Sequence, residues 1–395
     1  MIAEHDVMVV GAARTAIGDY GGSLKDFPPT QLGAIVIREA VRRAAINPDD
    51  VGMVVFGNCI HTGPRDIYLS RVAAVEGGLS HHTPCVTINR LCGSGLQAIV
   101  MASQSIMVGD TDFAVAGGAE SMSRGGYLLA SERWGQRMGD ATAVDMVIGG
   151  LTDPFDPIHM GVTAENVAAQ FHITRAMQDD LAVESHHRAA KAIAAGYFKE
   201  QIVPIEIKTR KSTTIFDTDE HVRADASLEG LQKLKPFFLK DGTVTAGNAS
   251  GLNDAGAAIV LMNSGAANRN GHAPLARLVA YGHSGVDPKI MGIGPIIAVQ
   301  NALKSAGLTV DQMDTIEANE AFAAQACAVA QELGFDAAKT NPNGSGISMG
   351  HPVGATGCLL TIKAIYELHR TGGRYALITM CIGGGQGIAA IFERV

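Results

Sequence analysis

An internal duplication constrains this chain's fold more than any other feature. Residues near 39–121 resemble those near 301–383 at a constant offset of 262. Ala40-Val41, Ala44, Ile46, Asp49, Val51 and Val54 fall opposite Ala302-Leu303, Ala306, Leu308, Asp311, Met313 and Ile316. Further on, Ser94-Gly95 meets Thr356-Gly357, and Phe113-Ala114-Val115 meets Tyr375-Ala376-Leu377. Because the offset never changes, both copies should carry the same succession of elements, and the chain should fold as two similar α/β halves. In each half an apolar strand (51–56, 376–380) alternates with a helical pattern (32–45, 296–306), the signature of βαβ units on a mainly parallel sheet. Such sheets need helices on both faces. The segments 95–107 and 357–368 are apolar on most faces, which predicts two helices sandwiched between the sheets of the two halves. The expected architecture is therefore five-layered, αβαβα.

Between the copies the texture changes. Residues 122–249 hold Trp134, the one tryptophan, several histidines, Pro154, Pro157 and a mixed-charge run over 208–240. An inserted loop domain is expected here, and insertions on a symmetric scaffold commonly build the substrate pocket. The expected division is 1–121 with 250–271 as the N-terminal half, 122–249 as the insertion, and 272–395 as the C-terminal half. With 47% hydrophobic and 18% charged residues, a chain of this length can bury a large interior. The net charge of −8 argues against nucleic-acid affinity, which draws on clustered Lys and Arg. No run approaches the roughly 18 apolar residues of a membrane span, and residues 1–6 lack a basic region leading into an apolar stretch. A cytoplasmic protein is expected. The six cysteines show no CxxC spacing, so neither a zinc site nor a disulfide framework is indicated, and some can be reactive thiols.

Four segments carry chemistry. Thr87-Ile88-Asn89-Arg90-Leu91-Cys92-Gly93-Ser94-Gly95-Leu96 reads as a strand, a tight turn and a buried helix opened by Cys92. A thiol there meets free N–H groups and the positive end of the helix dipole, which lowers its pKa. The alternative is a small buried cysteine in a crowded turn. Gly350-His351-Pro352-Val353-Gly354-Ala355-Thr356-Gly357 precedes the matching helix of the other half, so pseudo-symmetry should bring His351 toward Cys92 as a proton acceptor; alone, it reads as a turn. Met380-Cys381-Ile382-Gly383-Gly384-Gly385-Gln386-Gly387 ends a strand with a second cysteine and three glycines whose bare N–H groups can cradle an oxyanion, or simply form a tight turn. A second thiol suits carbon–carbon bond formation, where a base must remove the α-proton of an acyl thioester. In Glu317-Ala318-Asn319-Glu320-Ala321-Phe322, Asn319 is either the cap of the following helix or an amide that holds a water against a thioester carbonyl.

Together, in this order on a duplicated scaffold, these segments resemble the thiolase family over nearly the whole chain. The resemblance implies that Cys92 is the acylated nucleophile, His351 the base that activates it, and Cys381 the proton-shuttling cysteine. It implies that Asn319 with His351 positions an oxyanion-hole water, and that the N–H groups of Gly383 and Cys92 form a second oxyanion hole. Further matches are Gly117–Ser123, Met160–Asn166 and 245–251. Positions like Ser250, Arg223, Met160 and Phe238 line the family's channel for CoA and the acyl chain, and Ala246 and Phe322 lie on the same substrate-binding stretches. The implied reaction has two steps. Cys92 takes an acyl group from one acyl-CoA; then Cys381 deprotonates bound acetyl-CoA, whose carbanion attacks the thioester, and thiolysis runs in reverse. Acetyl-CoA, acyl-CoA and CoA are the implied partners, with no metal, nucleotide or redox cofactor, and the implied assembly is a homotetramer, a dimer of dimers, with 122–140 as its tetramer-forming loop. Gln97, Gly125-Gly126 and 343–348 depart from the commoner short-chain pattern; this variant most resembles the bacterial short-chain β-ketothiolases that feed polyhydroxyalkanoate synthesis.

Three rivals are weighed against this. A decarboxylating condensing enzyme of the ketoacyl-synthase kind would need a second histidine where Cys381 stands. A nucleotide-binding protein using Gly344-Ser345-Gly346 would need a preceding strand and a GKT or GKS. An idle family member used for binding or assembly is disfavoured by the presence of both cysteines, His351 and Asn319.

Overall fold

The computed structural model describes residues 6–208, 210 and 212–395. The N-terminal stretch read above for targeting, residues 1–5, and two positions of the charged run, 209 and 211, lie outside the described residues. The first half contains β1 (Val7–Thr15), α1 (Pro29–Ala44), β2 (Met53–Gly57), α2 (Leu69–Glu76), β3 (Cys85–Ile88), α3 (Ser94–Met107) and β4 (Phe113–Ser121). After the insertion, which includes α4 (Met160–Gln170) and α5 (Arg175–Ala194), β5 (Asn253–Asn263) returns to this half. The second half follows with β6 (Ala276–Gly285), α6 (Gly294–Ala306), β7 (Thr315–Ala318), α7 (Ala323–Leu333), α8 (Thr356–Thr371), β8 (Tyr375–Ile382) and β9 (Gln386–Arg394).

The duplication is kept to the residue. Met53 and Thr315 open β2 and β7, Ser94 and Thr356 open α3 and α8, and Phe113 and Tyr375 open β4 and β8, each pair 262 apart. Even the irregularities repeat. β1 slips register against β5 between Val9 and Gly11, and β6 slips against β9 between Leu278 and Ala280.

The layers stack as α1 and α2, the first sheet, α3 with α8, the second sheet, and α6. In α3 and α8 the faces toward both sheets are covered, as their apolar sequence requires: Leu96, Ile99, Val100, Ile362 and Ile365 are fully buried. Two ionic groups of α8 are buried, and each is paired: Lys363 with Glu317 of β7 at 2.9 Å, and Glu367 with Arg370. Close approach at the crossing of the two helices depends on missing side chains. A Cβ on Gly357 would lie 2.2 Å from the Leu96 nitrogen, and one on Gly95 2.8 Å from that of Cys358.

Two expectations need correction. The sheets are mixed rather than mainly parallel: β2 runs parallel to β3 and β4, and β7 to β8, but β5 lies antiparallel between β1 and β4, and β9 antiparallel between β6 and β8. The reason is connectivity. β5 comes back from a long insertion instead of a crossover helix, and β8–β9 is a hairpin. The sheets are also not separate, because Met8 and Val9 of β1 pair with Arg277 and Ala276 of β6, giving one order β7-β8-β9-β6-β1-β5-β4-β2-β3. The insertion is tied to this scaffold by a fully buried, bidentate ion pair from Arg14, on β1, to Asp219, at 2.7 and 2.9 Å.

Candidate active site

α3 and α8 present their N-terminal ends on the same side of the central layer, and the loops feeding them carry the reactive groups. Cys92 sits in a 3-10 turn, Leu91–Gly93, immediately before α3. That turn is held open against strain. Leu91 has φ +47°, a left-handed conformation rare outside glycine and costing about 1–3 kcal/mol. Its N–H donates to Asn89 Oδ1 at 2.9 Å and its carbonyl accepts from Ser94 Oγ at 2.7 Å. Strain kept in place by such bonds is typical of a residue whose position matters for chemistry.

The thiol's state differs from the sequence expectation. Burial pushes Cys92 up to about 11, with the Glu120 carboxylate adding to the rise, although the N–H groups of Gly383 and of Cys92 itself direct hydrogen bonds at the sulfur and oppose it. Desolvation outweighs the helix terminus, so Cys92 rests as a thiol and needs a base. Cys381, fully buried at the end of β8, is pushed higher still by burial and by the nearby Cys92. Beyond it the chain turns through Gly384 (φ +79°) and Gly385 (φ +83°). The turn reading of these glycines holds, since the hairpin needs positive φ, and the same hairpin aims the Gly383 N–H at the Cys92 sulfur.

His351 supplies a neutral imidazole. It is 5% exposed, and desolvation lowers its pKa to about 4. Its Nδ1 lies 2.7 Å from Thr356 Oγ1, whose own proton is committed to the Pro352 carbonyl at 2.9 Å. Nδ1 must therefore carry the hydrogen, which leaves the Nε2 lone pair free to accept a proton. Asn319 Nδ2 stands 3.4 Å from that Nε2, and Asn319 Oδ1 is buried with no hydrogen-bond partner among the described residues. The cap alternative for Asn319 fails: the N-cap of α7 is Phe322, and Asn319 lies in the preceding turn. Gly346 backs it, since a Cβ there would come within 2.7 Å of Asn319 Oδ1.

The expected channel residues divide. Met160 and Phe322 are buried in one apolar cluster with Cys381, and Phe238 packs against it. Ser250 joins this group through its N–H, which donates to the Ala321 carbonyl at 2.9 Å, beside a bridge from Ala249 to Phe322. Arg223 and Ala246 are instead exposed at the surface. On the other side, Leu91 and Val353, which flank Cys92 and His351 in sequence, line a cavity of about 420 Å³ with Cys59, Ile60 and Leu151.

Sequence reasoning missed several participants. His159 stacks on Phe238 with ring centroids 4.7 Å apart. Asn253 Oδ1 accepts the His351 N–H at 3.0 Å, and a Cβ on Gly350 (φ +104°) would collide with that amide. Thr356 lay inside a quoted motif, yet its role follows only from the turn that folds it back on His351. Among the described residues no group of three or more His, Cys, Asp and Glu is placed to hold a metal ion, and no helix is long and apolar enough to cross a membrane.

A cysteine-bearing turn from one half and a histidine loop from the other pack together over a shared helical layer on a duplicated α/β scaffold. Residues 7–265 match the thiolase N-terminal domain and residues 272–394 the thiolase C-terminal domain. The chain belongs to the thiolase family. It is 66% identical over 392 residues to beta-ketothiolase BktB of Cupriavidus necator, covering 99% of this chain and 100% of that protein. It is 48% identical over 391 residues to an acetyl-CoA acetyltransferase of Chromobacterium violaceum, covering 98% and 100%. Among solved structures, the Bacillus anthracis acetyl-CoA acetyltransferase superposes with a TM-score of 0.97 at 46% identity over the whole of both chains. The human mitochondrial 3-ketoacyl-CoA thiolase in complex with CoA does so with 0.96 at 44% identity, covering 100% of this chain and 99% of that one.

Proposed function

We propose that this protein is a β-ketothiolase that reversibly condenses acetyl-CoA with acetyl-CoA or another short acyl-CoA, giving a 3-ketoacyl-CoA and free CoA. The observation that carries this reading is a protonated Cys92 under two converging N–H groups, with a second thiol, Cys381, beside it and a neutral His351 on the adjoining loop. His351 Nε2 takes the Cys92 proton as the sulfur attacks the thioester carbonyl, and CoA leaves as its sulfur takes the Cys381 proton, so that Cys381 becomes the thiolate. The developing oxyanion is met by the N–H groups of Cys92 and Gly383. In the second step Cys381 removes a proton from the methyl carbon of acetyl-CoA, whose thioester oxygen is met by a water held on Asn319 and His351. The carbanion then attacks the acylated Cys92, and the Cys92 sulfur departs, taking back the proton held on His351 Nε2. Met160, Phe238, Phe322 and Ser250 bound the pantetheine and acyl path, with Arg223 and Ala246 at its outer end. Residues 122–249 act as the substrate-binding and assembly lobe of a cytoplasmic homotetramer.

The test follows loss of acetoacetyl-CoA, and of a 3-ketoacyl-CoA one carbon longer, through the Mg²⁺-enolate absorbance as CoA is added. CoA-dependent loss that vanishes in Cys92→Ala supports the reading and ranks the two substrates. No loss with the native protein refutes it. Light scattering that returned a monomer would refute the tetramer.

A further inference from the structure

Glu120 is the penultimate residue of the buried strand β4 and has no part in the acyl-transfer chemistry above, yet it is fully buried. Its carboxylate accepts four hydrogen bonds: from Asn58 Nδ2 at 2.9 Å and the Ile60 N–H at 3.0 Å on Oε1, and from the N–H groups of Cys59 at 3.0 Å and Gly354 at 2.8 Å on Oε2. These donors come from both halves. Asn58, Cys59 and Ile60 follow β2 of the first; Gly354 lies three residues beyond His351 in the second. The docking is tight, because Cβ atoms on Gly57 and Gly118 would come within 2.7 and 2.0 Å of the Gly354 carbonyl oxygen. Cys59 carries the connection onward: its thiol donates to the Leu91 carbonyl at 3.3 Å, one residue before Cys92.

We propose that Glu120 is a positioning residue for acyl transfer, fixing the His351 loop of the second half and the Cys92 turn of the first in one register through a single buried carboxylate. The proposal rests on Cys92 and His351 being nucleophile and base. Geometry supports it from two sides, since the same group reaches the Gly354 N–H directly and the Cys92 turn through Cys59. Its charge has a second consequence. Burial pushes Glu120 up to about 7 against the pull of its backbone donors and the Cys59 thiol; once ionised, the carboxylate raises the Cys59 and Cys92 thiols, so it helps keep Cys92 protonated until His351 accepts the proton. Pseudo-symmetry sets the feature apart: the position 262 residues further on is Ile382, so only the first half carries the clamp.

The test compares Glu120→Gln and Glu120→Asp with the native protein. Glu120→Gln cannot accept from all four donors and loses the charge. Its kcat in thiolysis should fall about 10- to 100-fold, the scale expected when reacting groups are misplaced by about an ångström, with KM for CoA little changed. At the same time, alkylation of Cys92 by iodoacetamide at pH 8, above the value of about 7 to which burial pushes Glu120, should rise about 3- to 10-fold, because a neighbouring negative charge is gone. Glu120→Asp keeps the charge but shortens the reach, so kcat should fall without the gain in alkylation; it also serves if Glu120→Gln does not fold. Opposite movement of the two rates is the signature, since a purely structural role would lower both together. Native kcat in either folded variant, or alkylation in Glu120→Gln that is unchanged or slower, overturns the proposal. If Cys92→Ala retains full turnover, the underlying reading of the site fails instead, and the two failures are distinguishable.

Discussion

Gly357→Ala probes the crossing on which the whole site depends. The added Cβ would lie 2.2 Å from the Leu96 nitrogen and 2.8 Å from its Cβ, both parts of α3 that cannot rotate away. Ordinary contact between such atoms is about 3.5–4 Å, so α3 and α8 must separate by roughly 1 Å or more. Overpacking of this kind costs typically 1–3 kcal/mol, and helices buried in the middle layer have no solvent side toward which to relax. The kinetic effect should be larger than the thermodynamic one. The first turns of α3 and α8 lead directly from Cys92 and His351, so the separation is transmitted to the reacting pair, and a shift of about 1 Å is expected to lower kcat about 100-fold. Urea unfolding and CoA-dependent acetoacetyl-CoA cleavage measure the two quantities, with Gly63→Ala as a control because a Cβ there meets nothing within 4 Å. Native stability together with native kcat in Gly357→Ala would refute the reasoning.

Other substitutions isolate other parts of the account. Asp219→Ala leaves the Arg14 guanidinium buried without its bidentate partner and should cost about 3–5 kcal/mol in chemical unfolding; a loss under about 1 kcal/mol would show that the pair does not anchor the insertion. Thr356→Val removes the acceptor of the His351 Nδ1 hydrogen, and kcat should fall about 10- to 100-fold while KM for CoA stays near native; an unchanged kcat would mean that the tautomer is set elsewhere. The His351 pKa makes a signed prediction. Folding holds it near 4 against 6.5 for the free side chain, so below pH 6.5 the unfolded chain binds a proton that the native one refuses. The stability that depends on neutral His351 is complete above pH 6.5 and is lost as pH falls toward 4, about 2 kcal/mol of it by pH 5. His351→Gln should lack this increment, and the comparison of urea midpoints at pH 7 and pH 5 isolates it; equal pH dependence in both proteins would contradict the assignment.

Much of this was legible in the sequence because the duplication is exact in spacing. A constant 262-residue offset places the starts of α3 and α8 in equivalent positions, and the apolar character of both helices then puts them in the middle layer. The turn that carries Cys92 and the loop that carries His351 pack together for that reason, through Leu91, Cys92 and Val353. What the sequence hid has physical causes. Strand direction was misread because nothing in 253–263 announces that this strand returns from a long insertion to lie antiparallel between β1 and β4. The Cys92 pKa was misjudged because a helix terminus is local and readable, while desolvation and a carboxylate 28 residues away are products of the tertiary fold. Thr356 and Asn253 orient His351 through a hydroxyl and an amide whose directions are decided by turns. Of the departures at Gly125 and Gly126, Gly126 lines the cavity beside Leu91 and Val353, while Gly125 packs where a Cβ would meet Val147 at 2.2 Å.

The most direct test of the central claim is to identify the acylated atom. The protein is incubated with acetyl-CoA, quenched in acid and digested, and the peptides are mapped by mass spectrometry. One acetyl group in thioester linkage is expected on the peptide containing Cys92, removed by added CoA and absent in Cys92→Ala. An acetyl group found on Cys381 or Cys59 instead, or turnover with no CoA-labile acylation at Cys92, would contradict the claim.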